Sequence, residues 1–271
     1  MLYESEYYGV CDLGSPSLTH HGIKGQKWGI RRFQNPDGSL TEAGTIRYKG
    51  FKRKQNLIQE QLGIDVSLKQ LNIRDKNESE RVHKKAGEKV YHVTPLDFKE
   101  LRDGQDLFIS ASDYDRNTYK SFLSLMLRQK GFDKVSEVEM TLKTDLNAPS
   151  NKDQRRMFSE LYSSNKRMFD SDISDYYKKK GKKQPENAYD AFIPTLDRKQ
   201  SKSKEAFYNK LKAEGYNAVL DQHDVDRSWM QAGRPLIVMD AANVLGNVKS
   251  SPVKTKDIEN SLTELGILKR R

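Results

Sequence analysis

The chain has 271 residues, of which 35% are hydrophobic and 32% charged, with a formal net charge of +10. This length suits one sizeable domain with appendages, and the mean hydropathy of −0.87 predicts that part of the chain is extended or loosely packed. The single cysteine, Cys11, excludes an internal disulfide and a zinc cluster built on cysteines.

The charge balance points to polyanions as partners. The 48 basic residues are spread among 38 acidic ones, however, so no single patch is predicted. No apolar run reaches membrane-spanning length, and we expect no membrane partner. The N-terminus lacks the basic and apolar regions of a signal peptide, so we expect no general secretion.

The segment HHGIKGQKWGIRR, residues 20–32, has the most unusual composition in the chain. Its three glycines permit tight turns. Its lone tryptophan lies among basic residues, and such a residue usually packs against something and carries much of a small interface. Two interpretations stay open: a clip that folds onto the main domain, or a docking tag.

Residues 20–32 resemble a short module, H-x-G-[IV]-K-G-[QM]-K-W-G-[IV]-R-R, that recurs in tailed-phage proteins beside unrelated domains. The resemblance implies a phage origin and a virion-association tag. Phage particle or head proteins would be its partners, and the protein would lie in the virion and then in the host cytoplasm. The side chains expected to contact the partner are Lys24, Lys27, Trp28, Arg31 and Arg32.

A turn and a helix are predicted next. Asn-Pro-Asp-Gly at residues 35–38 is a strong turn signal. Thr41 fits a helix N-cap, with Glu42 favourably placed in the first turn. Residues 1–50 are assigned to the module, and the charged, helix-compatible residues 51–88 to a helical spacer.

Alternating strands and helices mark residues 89–250 as the main domain. Strands are predicted at residues 90–94, 107–110, 138–142, 217–220 and 235–239. Ser112 or Asp113 caps a helix that runs to about residue 130, and a later helix covers residues 203–214. The polar residues 163–204 are predicted to form an exposed basic insertion, and residues 251–271 a tail with a short helix.

The main domain resembles the ADP-ribosyltransferase fold. Residues 90–94, VYHVT, and 107–112, LFISAS, are similar to the first two strand motifs of that fold. Residues 214–221, EGYNAVLD, and 235–240, PLIVMD, resemble the ending of its polyvalent phage and toxin members. The implied class is α+β, with two small sheets split around a cleft.

The resemblance also implies a site. NAD would lie in the cleft, with His92 hydrogen-bonded to a ribose hydroxyl, Ser110 supporting the wall and Tyr119 stacked on the nicotinamide. A carboxylate would stabilise the positive charge that develops in the transition state. The acceptor of ADP-ribose would be a host protein or nucleic acid.

The sequence departs from the family where its glutamate usually lies, shortly before the final apolar strand. This chain has AGRP there, at residues 232–235. Asp221 is the first candidate for the role, and the alternatives are Asp224, Asp226, Glu137 and Glu139. Two outcomes stay open: altered chemistry, or a fold kept for binding in a non-enzymatic virion or head-assembly component.

Each candidate also has a purely structural interpretation. His92 fits an ordinary strand histidine, Ser110 a helix cap and Tyr119 a core residue. The aspartates at 221, 224 and 226, with His223, fit a solvated loop better than a metal site, so no metal is expected. A nucleic-acid-binding accessory protein is the weakest hypothesis, because aromatic and basic residues do not interleave.

Overall fold

The computed structural model describes residues 33–35, 37–71, 81–96, 98–197, 201–226 and 228–269. The predicted tag residues Lys24, Lys27, Trp28, Arg31 and Arg32 lie outside these ranges, and their role stays a prediction. Helices and antiparallel sheets both occur in the described residues, so the predicted α+β class is confirmed.

Helix α1, Glu42–Leu62, begins where the sequence predicts. The Thr41 side chain accepts a hydrogen bond from the Gly44 amide at 3.1 Å, and Gly63 ends the helix with a φ of 68°. Leu57 and Ile58 are buried in an apolar cluster with residues of the main domain. Since α1 crosses the boundary predicted at residue 50 and packs in the core, it is not a spacer.

The strands are short, and all their pairings in the described residues are antiparallel. One sheet pairs β1 with β5, a second has the order β2-β4-β8, and a third has the order β3-β7-β6. The bounds are β1 Val82–Lys84, β2 Lys89–Thr94, β3 Leu107–Ile109, β4 Ser136–Leu142, β5 Leu146–Ala148, β6 Ala218–Leu220, β7 Leu236–Val238 and β8 Leu245–Pro252.

Single backbone contacts join these sheets. Tyr91 on β2 and Ser110 after β3 exchange hydrogen bonds of 3.0 and 2.7 Å. On the other side, the Asn217 amide donates to the Asn147 carbonyl oxygen at 3.1 Å, which links β6 to β5. The bridge between Tyr91 and Ser110 is isolated, so the pairing of β2 with β3 does not continue beyond it.

One helical run connects β3 to β4. It consists of α2 Asp113–Thr118, a π-helical turn Tyr119–Leu123 and α3 Ser124–Gln129. Ser112 is the N-cap, because its Oγ accepts from the Asp115 amide at 3.1 Å. The predicted stop is also confirmed, since Gly131 follows the run with a φ of 85°.

Residues 163–204 differ from the prediction of an exposed insertion. They contribute to α4 Asn151–Lys180, which is interrupted at Asn165, and to α5 Ala188–Phe192, a 3-10 turn Ile193–Asp197 and α6 Lys202–Ala213. Phe169, Ile173 and Tyr176 are buried in a second core. Their helical spacing defines one apolar stripe, which the many polar residues around them obscure in the sequence.

The C-terminal part returns to the main domain. Short helices α7 Gln222–Asp226 and α8 Ala241–Val244 flank β7, and α9 Thr255–Glu264 follows β8. Ile258 and Leu262 of α9 are buried against the α1 cluster, as the predicted helical tail requires. Within the described ranges, every helix is too short or too polar to cross a bilayer.

Candidate functional site

The split between β2 and β3 positions His92. Successive residues of a strand direct their backbone groups to opposite edges, so the Phe108 carbonyl, two residues before Ser110, points to the same edge as that of Ser110. That edge faces β2, but the pairing does not continue past Tyr91 and Ser110. His92 Nδ1 lies 2.8 Å from the Phe108 carbonyl oxygen. The imidazole therefore replaces the backbone amide that would donate to this oxygen if β2 and β3 stayed paired.

This contact determines the tautomer of His92. A carbonyl oxygen only accepts, so Nδ1 carries the proton and Nε2 presents a lone pair. Burial lowers the pKa of His92 to about 4, although the bond to Phe108 favours the charged form. None of the described residues hydrogen-bonds Nε2. Neutral His92 can therefore accept one hydrogen bond from a hydroxyl group.

Ser110 and Tyr119 lie close to this split but offer little open surface. Ser110 is 3% exposed and Tyr119 is 2% exposed. The Tyr119 ring meets Phe108 edge-on with centroids 5.0 Å apart, and its hydroxyl donates to Asp224. Burial, with the charge of Asp224, holds the pKa of Tyr119 well above its usual value. This geometry favours the core interpretation of Tyr119 over a nicotinamide platform.

Asp221 lies at the end of β6, where its backbone amide pairs with the Pro235 carbonyl. Its carboxylate accepts from the amides of His223 and Asp224 at 3.1 and 3.4 Å. Burial, together with the neighbouring Asp224, raises the pKa of Asp221 well above its usual value. Asp221 is also buried, so its side chain offers little surface to a ligand, and its catalytic role stays a prediction.

Asp224 belongs to a buried network that the sequence analysis missed. Besides Tyr119, its neighbour is Lys54 of α1, whose Nζ donates to the Met230 carbonyl oxygen at 2.5 Å. Burial lowers the pKa of Lys54 to about 7, and the charge of Asp224 opposes this shift. One signal was available: Lys54 precedes Leu57 and Ile58 by three and four positions, which places it on their apolar face.

Asp115 anchors the loop at residues 228–234. Its side chain is fully buried and accepts from the Gly233 and Arg234 amides at 2.6 and 2.9 Å. From the other side, the Arg53 guanidinium lies 4.4 Å from the Trp229 ring centroid. The loop at residues 228–234 is thus held between α1 and α2.

Glu137 is an ionised carboxylate of β4. It pairs with Arg116 at 2.8 and 2.9 Å and with Lys120 at 2.8 Å. Burial opposes the charged form, but the two cations outweigh it and hold the pKa of Glu137 below its usual value.

The strand register places Glu137 away from His92. Glu137 is opposite Val93 in the pairing of β2 with β4, and His92 is opposite Val138. Residues directly opposite share a face and successive residues alternate, so His92 and Glu137 project from opposite faces of this sheet. Glu139 shares the face of Glu137 and pairs with Lys89 at 2.8 Å.

The described residues contain no group of three His, Cys, Asp or Glu side chains that could hold a metal ion. Comparison with known proteins finds no match to this chain among family models, curated proteins or solved structures. The geometry of the site therefore carries the functional argument.

Proposed function

We propose that the protein is a non-catalytic binding component of a tailed-phage particle, built on an ADP-ribosyltransferase-like framework. The observation that carries this proposal is that each candidate carboxylate with a described side chain either projects from the other sheet face than His92 or is buried. Glu137 and Glu139 project from the other face of the sheet. Asp221 and Asp224 are buried, and burial raises the pKa of both carboxyl groups.

The fit of NAD to these residues is incomplete. His92 Nε2 can accept a ribose hydroxyl, as the family resemblance implies. Tyr119 presents no open ring face, and the carboxylate needed beside the ribose is missing from the described face of the split. The residues present do not fit the catalytic arrangement, so we derive no transfer step through NAD.

A second candidate function, an NAD-dependent ADP-ribosyltransferase that modifies a host protein or nucleic acid, has one observation in its favour. His92 is neutral and keeps an acceptor nitrogen at the sheet split. Such a protein would act in the host cytoplasm after delivery.

Calorimetry with NAD separates the two functions. The binding component should show no heat of NAD binding at millimolar concentration and should transfer no labelled ADP-ribose to host lysate. NAD binding that disappears in His92→Ala, but persists in the control His83→Ala on β1, would overturn the proposal in favour of the enzyme.

Particle association needs its own test. The protein should be present in purified particles of the phage that encodes it. Trp28→Ala should reduce its incorporation, because a single large apolar side chain dominates a small interface. Unchanged incorporation of this variant would contradict the tag function. Absence of the wild-type protein from purified particles would contradict particle association as a whole.

A further inference from the structure

The C-terminal end of α4 gathers a run of lysines at one place. Gly181 closes the helix with a φ of 61°. Its amide donates to the Lys178 carbonyl, and the Lys182 amide reaches back to the Tyr177 carbonyl at 3.1 Å. Because the backbone reverses over the last turn, lysines on both sides of Gly181 lie at the same helix end. We name this set the α4 lysine cluster: Lys178, Lys179, Lys180, Lys182 and Lys183.

Little negative charge offsets this cluster. The Lys180 ammonium lies 3.8 Å from Asp197. Burial and the charge of Lys180 lower the pKa of Lys182 and outweigh the opposing charge of Asp197. Lys178, Lys179 and Lys183 are exposed, and no carboxylate of the described residues forms an ion pair with them.

The helix terminus itself neutralises only part of this charge. The carbonyl groups at the end of a helix act as roughly half a negative charge, which stabilises one nearby cation. The three exposed lysines, Lys178, Lys179 and Lys183, already exceed that amount. The excess positive charge at an exposed helix end is available to a polyanion.

We propose that the α4 lysine cluster binds the phosphate backbone of duplex DNA without sequence preference. Flexible ammonium groups contact phosphates as point charges, whereas sequence readout needs contacts to base edges. Single strands are instead bound by stacking on aromatic rings. Tyr176 and Tyr177 beside the cluster are buried, so the cluster offers charge without a stacking surface.

The charge-neutral variant Lys178→Gln/Lys179→Gln/Lys183→Gln tests this site in the full chain. Its control, Lys69→Gln/Lys212→Gln/Lys256→Gln, removes the same charge from other exposed positions. Affinity for a duplex of about 20 base pairs is measured by fluorescence anisotropy between about 50 and 200 mM salt. We expect the cluster variant to bind the duplex about tenfold more weakly at low salt. The slope of log K against log salt concentration should be smaller in magnitude by about 2 to 3, since about that many phosphate contacts are lost. The control should lose far less.

Three results would overturn the inference: no duplex binding by the wild type, equal losses in the two variants, or tighter binding of a single strand of equal length. The third result would point to a stacking surface elsewhere. This inference adds a ligand to the proposed binding component. Its failure is separable from a failure of that proposal, because NAD binding and particle incorporation are measured without DNA.

Discussion

Lys54 on α1 donates a hydrogen bond to the Met230 carbonyl oxygen across 176 positions of the chain. The same ammonium lies 4.8 Å from the Phe122 ring centroid, between α1 and the loop before β7. The helix is therefore a structural part of the main domain. The packed part of the chain therefore extends upstream of the boundary predicted at residue 89.

Replacing Lys54 with Met should remove a pH dependence of stability. The folded protein holds the pKa of Lys54 at about 7, against an ordinary value of 10.5. Between these values the unfolded chain binds a proton that the folded chain releases, so the free energy of unfolding rises with pH. We expect a rise of up to about 1.4 kcal/mol per pH unit in the wild type relative to Lys54→Met. Urea unfolding across this window measures it.

The exposed Lys52 on the same helix provides the control for that experiment. Lys52→Met should follow the wild-type pH profile. If the profiles of wild type and Lys54→Met ran parallel, the buried amine would be charged throughout the window and the shift would be absent.

Gly50→Ala should destabilise the protein, although this change usually stabilises a helix interior by about 0.5 to 1 kcal/mol. A Cβ at residue 50 would lie 2.9 Å from Gln231 Nε2 and 3.0 Å from the Trp229 carbonyl oxygen. Because that carbonyl belongs to the backbone of the loop, we expect a loss of about 1 to 2 kcal/mol in urea unfolding. The exposed Asn56→Ala is the control and should gain a few tenths of a kcal/mol; equal gains in both variants would show that α1 does not pack on the loop.

Asp115→Asn should loosen the loop at residues 228–234. In the wild type, each oxygen of the Asp115 carboxylate accepts a hydrogen bond from one backbone amide, that of Gly233 or that of Arg234. The asparagine side chain has only one oxygen. Its NH2 group would therefore face one of these two backbone donors and leave that donor without an acceptor. We expect a loss of about 2 to 3 kcal/mol of stability and faster hydrogen exchange at the Gly233 and Arg234 amides. Asp113→Asn, at the exposed start of α2, should change neither quantity; protected loop amides in Asp115→Asn would contradict the assigned anchor.

His92→Gln should make the protein less sensitive to acid. The pKa of His92 is about 4 in the folded protein and ordinarily 6.5. As pH falls through this window, His92 binds a proton in the unfolded chain but not in the folded protein, so the free energy of unfolding falls. A glutamine amide can still donate to the Phe108 carbonyl oxygen. We expect the wild type to lose about 3 kcal/mol more than His92→Gln between the two pH values.

Urea unfolding at several pH values checks this expectation, with His83→Gln as the control for loss of a histidine elsewhere. An NMR titration that found an ordinary pKa for His92 would refute the structural role of the imidazole at the split.

Much of the local structure was predictable from the sequence. Thr41 and Ser112 cap their helices with a hydrogen bond to an amide three residues later, so all the information lies within one turn. Val138, Met140 and Leu142 alternate with polar residues, and the three apolar side chains are buried. Such a pattern can be recognised in the sequence because apolar residues repeat every two positions, which is the side-chain period of a strand.

The candidate site was predictable only in part. The strand motifs contain His92 and Ser110, and the structure has both residues beside one sheet junction. The burial of Asp221 was not predictable from the sequence, because it depends on residues far away in the chain. Lys54 and Asp115 were missed because their partners, Met230 and the Gly233 amide, are separated from them by more than a hundred positions.

The sequence by itself determined the helix caps and the alternating strand, because neighbouring residues supply both the hydrogen bonds and the period. Only the tertiary structure decided that α1 belongs to the main domain and that residues 163–204 build a second core. It also decided that His92 and Glu137 project from opposite faces of one sheet. Each of these outcomes depends on strand register or on burial by distant segments, and no local pattern encodes either.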